Sequence, residues 1–310
     1  MRKKHDWNYL VYIDGSTDKK NITDGNTVTF YGLKPGTVYS YSIQTEFHGL
    51  QSTELASVGT EQTQNAATMQ ENRPKNRFIN VLPYDRSRVK LTSSSPQNDY
   101  INASYMPVRI QMYKFIAAQG PLPNTVNDFW RMIWEQQVTG IVMVTNCTEG
   151  GRIKCEQYWP ESNPRHCGDL EVFTTSEKKQ LDWTLREFKV KQVEERTVRH
   201  FHFTAWPDHG VPQGTQVLIQ FRELVRQHMQ TEAAGTPTVV HCSAGVGRTG
   251  TLIALDMLLQ QMEKEKAVDI YGFVYKMRLN RPHMVQTEVN LIVILHYFDV
   301  KIKVLSQLTS

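Results

Sequence analysis

Two kinds of hydrophobic pattern divide the chain near residue 54. In WNYLVYI (7–13), apolar and polar positions alternate, which predicts a half-buried strand followed by a turn. Further along, the continuous apolar runs GIVMVTN (140–146) and PTVVHC (237–242) predict strands that are covered on both faces. We therefore expect regions 1–54 and 55–310 to be built differently.

Strand-like and helical segments alternate in the second region. Further strands are predicted at FIAAQGP, DWTLREFKV and TVRHFHFTAW, and helices at TVNDFWRMIWEQQ, GTQVLIQFRELVRQHMQ and RTGTLIALDMLLQQMEKEK. This order is typical of an α/β (α+β) domain with a mixed central sheet flanked by helices. The polar stretch LASVGTEQTQNAATMQENRP before it predicts a short helix and a loop.

The composition indicates a packed globular protein. Hydrophobic residues make up 40% of the 310 positions, which is too many for a disordered chain. A formal net charge of +4 suits anionic ligands without indicating nucleic acid as a partner. Four cysteines in a chain of this length do not form a disulfide framework, which favours a reducing compartment.

The sequence contains no segment that is typical of a targeting signal or a membrane span. The basic N-terminus lacks the apolar run of a signal peptide. The most apolar stretch, VNLIVILHYF, is shorter than the ~18 residues that a spanning helix needs. We expect the chain as written to be cytoplasmic.

The sequence TVVHCSAGVGRTG (238–250) combines a strand, a glycine-rich turn and the start of a helix. Backbone N–H groups of such a turn converge on one point and the helix directs its positive end there, which makes an anion site. Arg248 adds a planar guanidinium that suits two phosphate oxygens. Small residues let the backbone wrap tightly around the anion: Ser243, Ala244, Gly245 and Gly247.

Two interpretations compete for Cys242, which lies directly before this turn. A buried cysteine is usually a small core side chain without chemistry. Alternatively, the helix N-terminus and Arg248 stabilise its thiolate, and a thiolate beneath a bound phosphate is a nucleophile aimed at phosphorus. A nucleotide-binding P-loop does not fit, because the Lys-Ser/Thr ending is absent. The spacing of His-Cys, five residues and Arg-Thr-Gly favours the nucleophile.

Asp208 in TAWPDHGVP is a candidate proton donor. An aspartate in a turn is usually a helix cap or part of an Asx-turn. Trp206 and the prolines on either side of Asp208 also suit a lid with stiff ends that carries a catalytic acid. A phosphoryl transfer to Cys242 needs such an acid for the leaving oxygen, so this motif strengthens the catalytic interpretation.

Six motifs, in this order, resemble those of the protein tyrosine phosphatases: KNRFINVLPYDRSRV, NDYINASY, CEQYWP, WPDHGVP, HCSAGVGRTG and MVQTE. The resemblance extends from about Leu55 to Glu288. It implies a phosphatase fold that hydrolyses phosphotyrosine, with phosphotyrosine proteins as partners. It implies no metal and no other cofactor.

The resemblance implies the central catalytic roles. Cys242 attacks phosphorus and forms a phosphocysteine. Asp208 protonates the tyrosyl oxygen and then serves as base for the hydrolytic water. Arg248 and the loop amides bind the phosphate and stabilise the transition state; the amides are those of Ser243, Ala244, Gly245, Val246 and Gly247.

The resemblance also implies five supporting roles. Thr249 donates a hydrogen bond to the leaving thiolate, and His241 supports that thiolate from behind. Trp206 anchors the movement of the segment that carries the acid, and Glu149 orients the phosphate-binding arginine. Gln286, in MVQTE, positions the water.

The resemblance implies that the KNRF segment recognises the ring of the substrate. Relatives usually carry KNRY, whose ring stacks on the phosphotyrosine ring, and Phe78 keeps that aromatic face. Asn80 stands where some relatives have an aspartate that grips the peptide backbone, so we expect weaker peptide binding. A further departure is Asn290, which replaces the second glutamine that the family usually places four residues after Gln286.

Residues 1–54 resemble part of a fibronectin type III module. YLVYI, LKPGTVY and TEFHGLQSTE match a middle strand, the approach to a further strand and the last strand, and Tyr39 fits a tyrosine corner. Such sandwiches need about 100 residues, so we expect only a partial one. Together with one phosphatase domain, this implies a receptor-type phosphatase that is anchored in the plasma membrane in its full-length form, although we expect no span in this chain.

Three other functions compete with catalysis. A module that binds phosphotyrosine without turnover would lack the nucleophile, the acid or the arginine, yet Cys242, Asp208 and Arg248 are all present. The divergent tail after Glu288 keeps that alternative open. An adhesion protein is disfavoured by the short first region, and a thiol oxidoreductase by the lack of a Cys-x-x-Cys motif.

Overall fold

The computed structural model divides the chain into two compact units, Met1–Val58 and Gly59–Ser310. The boundary predicted after residue 54 falls shortly before this division. Within the two units the structure describes residues 7–13, 20–22, 41–47, 50–51, 55, 57–92, 98–106, 114–206, 215–233, 235–265, 268–287, 289–291, 293–294 and 298.

The first unit contains an antiparallel sheet with the strand order β2-β1-β3-β4. Its strands are β1 (Trp7–Ile13), β2 (Lys20–Ile22), β3 (Tyr41–Phe47) and β4 (Leu50–Gln51). The strand predicted at 7–13 is confirmed. The first residues of the predicted last strand TEFHGLQSTE instead continue β3, because β1 pairs with β3 along its whole length. Tyr39 lies outside the described residues.

The second unit contains one nine-stranded sheet with the order β11-β12-β13-β14-β8-β15-β7-β6-β5, and a separate hairpin of β9 and β10. The strands are β5 (Arg88–Lys90), β6 (Tyr100–Tyr105), β7 (Lys114–Ala118), β8 (Gly140–Met143), β9 (Thr148–Glu149), β10 (Arg152–Ile153), β11 (Arg165–Cys167), β12 (Leu170–Lys179), β13 (Trp183–Lys191), β14 (Glu195–Phe203) and β15 (Pro237–His241).

Among the residues that the structure describes in this unit, five helices have both ends defined. They are α1 (Asn65–Thr68), α2 (Val126–Glu135), α3 (Thr215–Thr231), α4 (Gly247–Glu265) and α5 (Ile270–Asn280). Short 3₁₀ turns lie at Arg73–Lys75 and Pro123–Thr125, and the described residues among 289–294 are helical. None of the helices that the structure describes is both long and apolar enough to cross a membrane.

β15 lies inside the sheet, between its parallel neighbours β7 and β8. β14 extends the parallel part beyond β8, and the outer strands pair antiparallel. All five residues of β15 are buried, as expected of a parallel strand with helices on both faces. The prediction of an α/β domain with a mixed central sheet is confirmed.

Side chains of the central strands alternate between the two faces of the sheet. Met143 and Val239 face the main core, where Trp130 of α2 is fully buried. Val142 and Val240 point to the opposite face and are equally buried, and α3 and α4 pack on this part of the sheet. The apolar runs that predict β8 and β15 thus reflect burial on both faces.

The predicted strands and helices of this unit are present, but the sequence pattern predicts neither helix α5 nor the strands β5, β6 and β9 to β12. The second half of β12 is exposed and carries polar residues, so its pattern is that of a loop. Helix α5 contains Gly272 in its first turn and several aromatic and β-branched residues, which weaken a helical prediction.

Candidate active site

The loop after β15 lies at the carboxyl end of the central parallel strands, where ligands bind in open sheets. β15 ends at His241, Cys242 follows, and α4 begins at Gly247; we call residues 242–248 the anion loop. Gly245 has a φ of +72°, and a Cβ there would overlap the carbonyl of Ala118. The tight turn of the loop therefore requires glycine at this position.

Cys242 is buried at the base of the anion loop, with 5% of its surface exposed. Its Sγ accepts a hydrogen bond from the backbone N–H of Gly245 at 3.3 Å. The backbone N–H of Gly120 donates to the Ser243 carbonyl at 2.9 Å, and a Cβ on Gly120 would collide with the Cys242 carbonyl. The segment after β7 thus fixes the backbone around the sulfur, which is held inside the turn.

Arg248, in the first turn of α4, is held by a carboxylate. Its two terminal nitrogens donate to the two carboxylate oxygens of Glu149 at 2.7 and 2.9 Å. Glu149 also accepts hydrogen bonds from the Asn146 backbone and the Thr145 hydroxyl. Burial by itself raises the pKa of Glu149, but these hydrogen bonds and the charge of Arg248 outweigh burial and lower that pKa. The guanidinium carbon lies 5.7 Å from the centre of the Trp206 ring.

A tight hairpin presents Glu149 to Arg248. Strands β9 and β10 are joined by Gly150 and Gly151, with φ of +53° and +70°. Two successive positive φ values strongly favour glycine. The structure therefore brings the two predicted partners together and shows why TEGGR precedes the CEQYWP motif.

Thr249 follows Arg248 and is fully buried. Its hydroxyl has no hydrogen-bond partner among the residues that the structure describes. A buried hydroxyl without a partner costs free energy, so a donor is available beside the anion loop for one more group.

His241 lies behind the anion loop and is fully buried. Its Nδ1 is 3.3 Å from the Cys242 carbonyl and its Nε2 is 2.8 Å from the Tyr158 hydroxyl. Burial lowers the pKa of His241 to about 3, so the imidazole is neutral at physiological pH. A neutral imidazole donates through one nitrogen and accepts through the other.

Arg281, which the sequence analysis does not single out, is fully buried beneath the anion loop. It donates to the carbonyls of Gly245 and Ala244 at 2.9 and 3.0 Å. It also donates to Asn102 Oδ1 and Ser104 Oγ on β6. Burial lowers the pKa of Arg281 to about 10, so the guanidinium remains charged. The only sequence signal for it is an arginine between α5 and the MVQTE motif.

The KNRF segment lies next to the anion loop. Arg77 donates to the Gly120 carbonyl at 3.0 Å, and Gly120 in turn donates to Ser243. Phe78 is 42% exposed and Asn80 is also exposed. An aromatic face is therefore available at the surface close to the loop.

Gln286 and Asn290 both lie against Gly247. A Cβ on Gly247 would be 3.0 Å from Asn290 Oδ1 and 3.7 Å from Gln286 Oε1. The Asn290 oxygen also accepts hydrogen bonds from the N–H and hydroxyl of Thr287. The departure from the usual glutamine thus falls at a position that contacts the anion loop.

The structure brings most of the predicted site residues together at the anion loop. They are Cys242, Ser243, Ala244, Gly245, Val246, Gly247, Arg248, Thr249, His241, Glu149, Trp206 and Gln286, with Phe78 next to Arg77 beside them. Asn80 lies two residues after Phe78 and is exposed. Asp208 lies outside the described residues, so its position relative to Cys242 stays a prediction. Within the described part of the chain, no group of three or more His, Cys, Asp or Glu side chains could hold a metal ion.

These features place the second unit among α/β domains that hold an anion where a strand meets the N-terminus of a helix. A family model described as "Protein-tyrosine phosphatase" matches residues 72–298. The chain belongs to this family. Residues 1–54 lie outside that match, and their likeness to a fibronectin type III module stays a prediction.

Curated relatives agree with this assignment. Receptor-type tyrosine-protein phosphatase eta of Gallus gallus is 56% identical over 239 residues, covering 76% of this chain and 17% of that protein. Receptor-type tyrosine-protein phosphatase H of Homo sapiens, which the motifs also resemble, is 53% identical over 241 residues, covering 76% and 22%. Phosphatidylinositol phosphatase PTPRQ of Rattus norvegicus is 51% identical over 220 residues, covering 69% and 10%. The chain thus spans less than a quarter of the length of these relatives.

Proposed function

We propose that residues 55–310 form a catalytic domain that hydrolyses phosphotyrosine in proteins through a phosphocysteine intermediate. The observation that carries this proposal is the placement of the Cys242 thiol inside a loop whose Arg248 is held by both oxygens of Glu149. A sulfur nucleophile and a bidentate cation are thereby directed at the same bound anion.

In the first step, Sγ of Cys242 attacks phosphorus. An S–P bond forms while the P–O bond to tyrosine breaks. Arg248 and the N–H groups of residues 243–247 hold the non-bridging oxygens, whose charge grows in the transition state. Asp208 donates its proton to the tyrosyl oxygen, so that a neutral phenol leaves.

In the second step, water attacks the phosphocysteine. Asp208 accepts a proton from the water, the S–P bond breaks, and inorganic phosphate leaves with the thiolate restored. Gln286, whose side chain faces Gly247, positions the water. The hydroxyl of Thr249, which has no partner among the described residues, donates to the departing thiolate.

Two residues support these steps without contacting the reacting atoms. His241 holds the Cys242 carbonyl from behind through its Nδ1. Trp206 lies beside Arg248 and anchors the segment that carries Asp208.

The aromatic face of Phe78 stacks on the phenyl ring of the substrate, which favours phosphotyrosine over the shorter phosphoserine.

Hydrolysis of a phosphotyrosine peptide tests the proposal directly. We expect the purified chain to release phosphate, Cys242→Ser to abolish release, and Asp208→Ala to bind the peptide but turn it over slowly. Cys167→Ser, which changes a cysteine of β11 outside the anion loop, is the matched control and should keep the wild-type rate. Binding of the peptide without release by the wild-type chain would contradict the proposal and favour a binding module.

A phosphoinositide is the second candidate substrate, because one relative at 51% identity is named as a phosphatidylinositol phosphatase. Both substrates place a phosphate monoester in the same loop, so they differ in what surrounds the phosphate. We expect Phe78→Ala to weaken peptide hydrolysis more than hydrolysis of a short-chain phosphoinositide. Faster turnover of the phosphoinositide than of the peptide by the wild type would decide for the second candidate.

We also infer a receptor-type setting for the full-length protein, because the eta and H relatives are named as receptor-type phosphatases. In this setting residues 55–310 act on the cytoplasmic side of the plasma membrane. Four free cysteines in the second unit suit that reducing side. Fractionation of cells that express the full-length protein tests the membrane assignment.

A further inference from the structure

A chain of buried polar side chains leads from the back of the anion loop to strand β13. Its members are His241, Tyr158, His200 and Arg186, and each is at most 9% exposed. The Tyr158 hydroxyl lies 2.8 Å from Nε2 of both histidines. Nη1 of Arg186 lies 3.4 Å from Nδ1 of His200.

Only one direction of hydrogen bonding fits these contacts. Arginine can only donate, so Nδ1 of His200 accepts and the proton of this ring sits on Nε2. That Nε2–H donates to the Tyr158 oxygen. The Tyr158 hydroxyl then donates to Nε2 of His241 at 2.8 Å, since its other acceptor, Sδ of Met143, is weaker and lies farther away at 3.9 Å. The proton of His241 then sits on Nδ1, which donates to the Cys242 carbonyl at 3.3 Å.

This direction requires that both histidines are uncharged, because a protonated ring donates from both nitrogens. Burial, followed by the nearby His202 and Arg186, lowers the pKa of His200 well below its ordinary value. Burial likewise lowers the pKa of His241 to about 3. Neither ring is therefore protonated at physiological pH.

A second branch starts at the same guanidinium nitrogen. Nη1 of Arg186 is 3.3 Å from Nδ1 of His202, so this ring also carries its proton on Nε2, which is 2.9 Å from the Thr145 carbonyl. The Thr145 hydroxyl donates to Glu149 at 3.1 Å, and Glu149 holds Arg248. One guanidinium thus connects to the backbone of the cysteine and to the carboxylate behind the arginine of the anion loop.

Arg186 is itself fixed without any direct contribution from the anion loop. Its Nε donates to Glu177 Oε2 at 2.6 Å, and its guanidinium carbon lies 4.6 Å from the centre of the Trp159 ring. The side chain is 9% exposed. Both hydrogens of Nη1 are therefore held in place to serve the two histidines.

We propose that Arg186 is a positioning residue that fixes the proton positions of His200 and His241, and through them the backbone of the anion loop. The Cys242 and Thr145 carbonyls can only accept, so they favour the same proton positions from the other end of each branch. The contact of His241 with its carbonyl is long, at 3.3 Å, and Arg186 supplies the donor that excludes the reverse direction for His200, Tyr158 and His241. Arginine is that donor because it cannot be deprotonated in proteins. The effect on catalysis rests on the proposed function, whereas the proton positions do not.

Long-range ¹H–¹⁵N correlation spectra of histidine-labelled protein test the proton positions without any turnover. We expect His200 and His202 to carry the proton on Nε2, and His241 on Nδ1. In Arg186→Met, His200 should populate the Nδ1–H form and His241 should lose its single form, whereas His202 should keep its proton on Nε2 because the Thr145 carbonyl can only accept. A wild-type His241 with its proton on Nε2 would overturn the proposal, and so would unchanged forms of His200 and His241 in Arg186→Met.

Kinetics test the effect on the reaction. We expect kcat of Arg186→Met to fall about tenfold, as for loss of a hydrogen bond from a charged donor, with a smaller change in KM. Arg196→Met is the matched control, because Arg196 stacks on Trp134 at 3.9 Å and donates to its carbonyl at 3.0 Å on the neighbouring strand. This control should keep the wild-type kcat and histidine forms; an equal loss in both variants would assign the effect to packing and overturn the proposal.

Variants of His200 and Tyr158 distinguish a loss of hydrogen-bond direction from a loss of side-chain packing. His200→Gln keeps an acceptor for Arg186 and an N–H for Tyr158, so it should retain most of kcat, whereas His200→Leu should resemble Arg186→Met. Tyr158→Phe combined with Arg186→Met should lose no more than the larger single loss, because both break one chain. Additive losses would overturn the proposal. If the wild type hydrolyses nothing, the proposed function fails while the proton positions remain testable.

Discussion

Two arginines shape the anion loop and differ in their partners: Arg248 belongs to the loop, and Arg281 lies beneath it. Arg248 pairs with the carboxylate of Glu149 and keeps 16% of its side chain exposed. Arg281 is fully buried, and its hydrogen-bond partners are neutral oxygens: two loop carbonyls, an amide and a hydroxyl.

This difference separates binding of the anion from shaping of the loop. A carboxylate fixes the plane of Arg248, and the remaining exposure lets an anion approach it. Arg281 has no exposed surface, so it acts by holding the carbonyls of Ala244 and Gly245 outward, which turns adjacent N–H groups inward. The neutral His241 likewise holds a carbonyl of the loop, that of Cys242.

We expect the largest effect from a fall in pH, which should reduce the stability contributed by the buried histidines behind the anion loop before it affects the pair of Glu149 and Arg248. Burial lowers the pKa of His200 well below the ordinary value of 6.5, that of His202 to about 4 and that of His241 to about 3. Below pH 6.5 the unfolded chain therefore binds more protons than the folded one, so stability is full above that value and falls as the pH falls. At about 1.4 kcal/mol per pH unit for each ring, we expect a loss on the order of 4 kcal/mol between about pH 7.5 and 5.5.

Urea unfolding at the two pH values measures this loss, and His202→Gln should reduce it by about 1.4 kcal/mol, the share of one ring. The pair of Glu149 and Arg248 is lost only at lower pH, because the pKa of Glu149 is below its ordinary value of 4.5. Its contribution is present above pH 4.5 and is lost only as the pH falls below it. Equal stability at both pH values would contradict the assignment of the three rings as neutral.

Arg281→Met should have the next largest effect. Removal of the guanidinium leaves several buried acceptors without a donor, and we expect the free energy of unfolding to fall by about 3 kcal/mol. The loop carbonyls should also turn, so that the loop binds anions less well. We expect the inhibition constant of orthovanadate, a phosphate analogue, to rise about tenfold. Arg281→Lys should not restore binding, because an ammonium lacks the planar fork.

Arg88→Met is the matched control for this change. Arg88 is also largely buried and pairs with Asp99 at 2.7 Å, at the edge of the sheet. It should lose stability and keep its affinity for orthovanadate. A similar loss of affinity in both variants would show that Arg281 contributes stability rather than the shape of the loop.

Glu149→Gln should have the smallest effect on stability and a clear effect on activity. The amide keeps the size of the side chain but pairs with only one nitrogen of Arg248, so we expect a loss of about 1 kcal/mol in stability and about tenfold in kcat/KM. Asp99→Asn, which weakens a charge pair of similar length, is the control and should leave kcat/KM unchanged. If both variants kept full activity, orientation by Glu149 would be unnecessary.

Much of the fold of the second unit could be predicted from hydrophobic patterns. The runs that became β8 and β15 are apolar on both faces, and only a covered central strand demands this. The hydrophobic pattern does not predict strand β12, because its exposed half, SEKK, is stabilised by pairing with β13 rather than by burial. Pairing leaves little trace in the sequence of one strand.

The site was predicted as far as its residues are adjacent in sequence or belong to a motif. Cys242 and Arg248 lie in one loop, and the resemblance supplied Glu149. Arg281 and Arg186 were missed because each meets the site only through the fold, at long range in sequence. A lone arginine in a strand or after a helix carries no local pattern that distinguishes it from a surface residue.

The position of β15 has one further consequence. Its backbone is hydrogen-bonded on both sides, and its five residues are buried. Amide protons of such a strand exchange with solvent only when the whole domain opens. The anion loop continues directly from this strand into α4, so we expect the two ends of the loop to stay in place until the core unfolds.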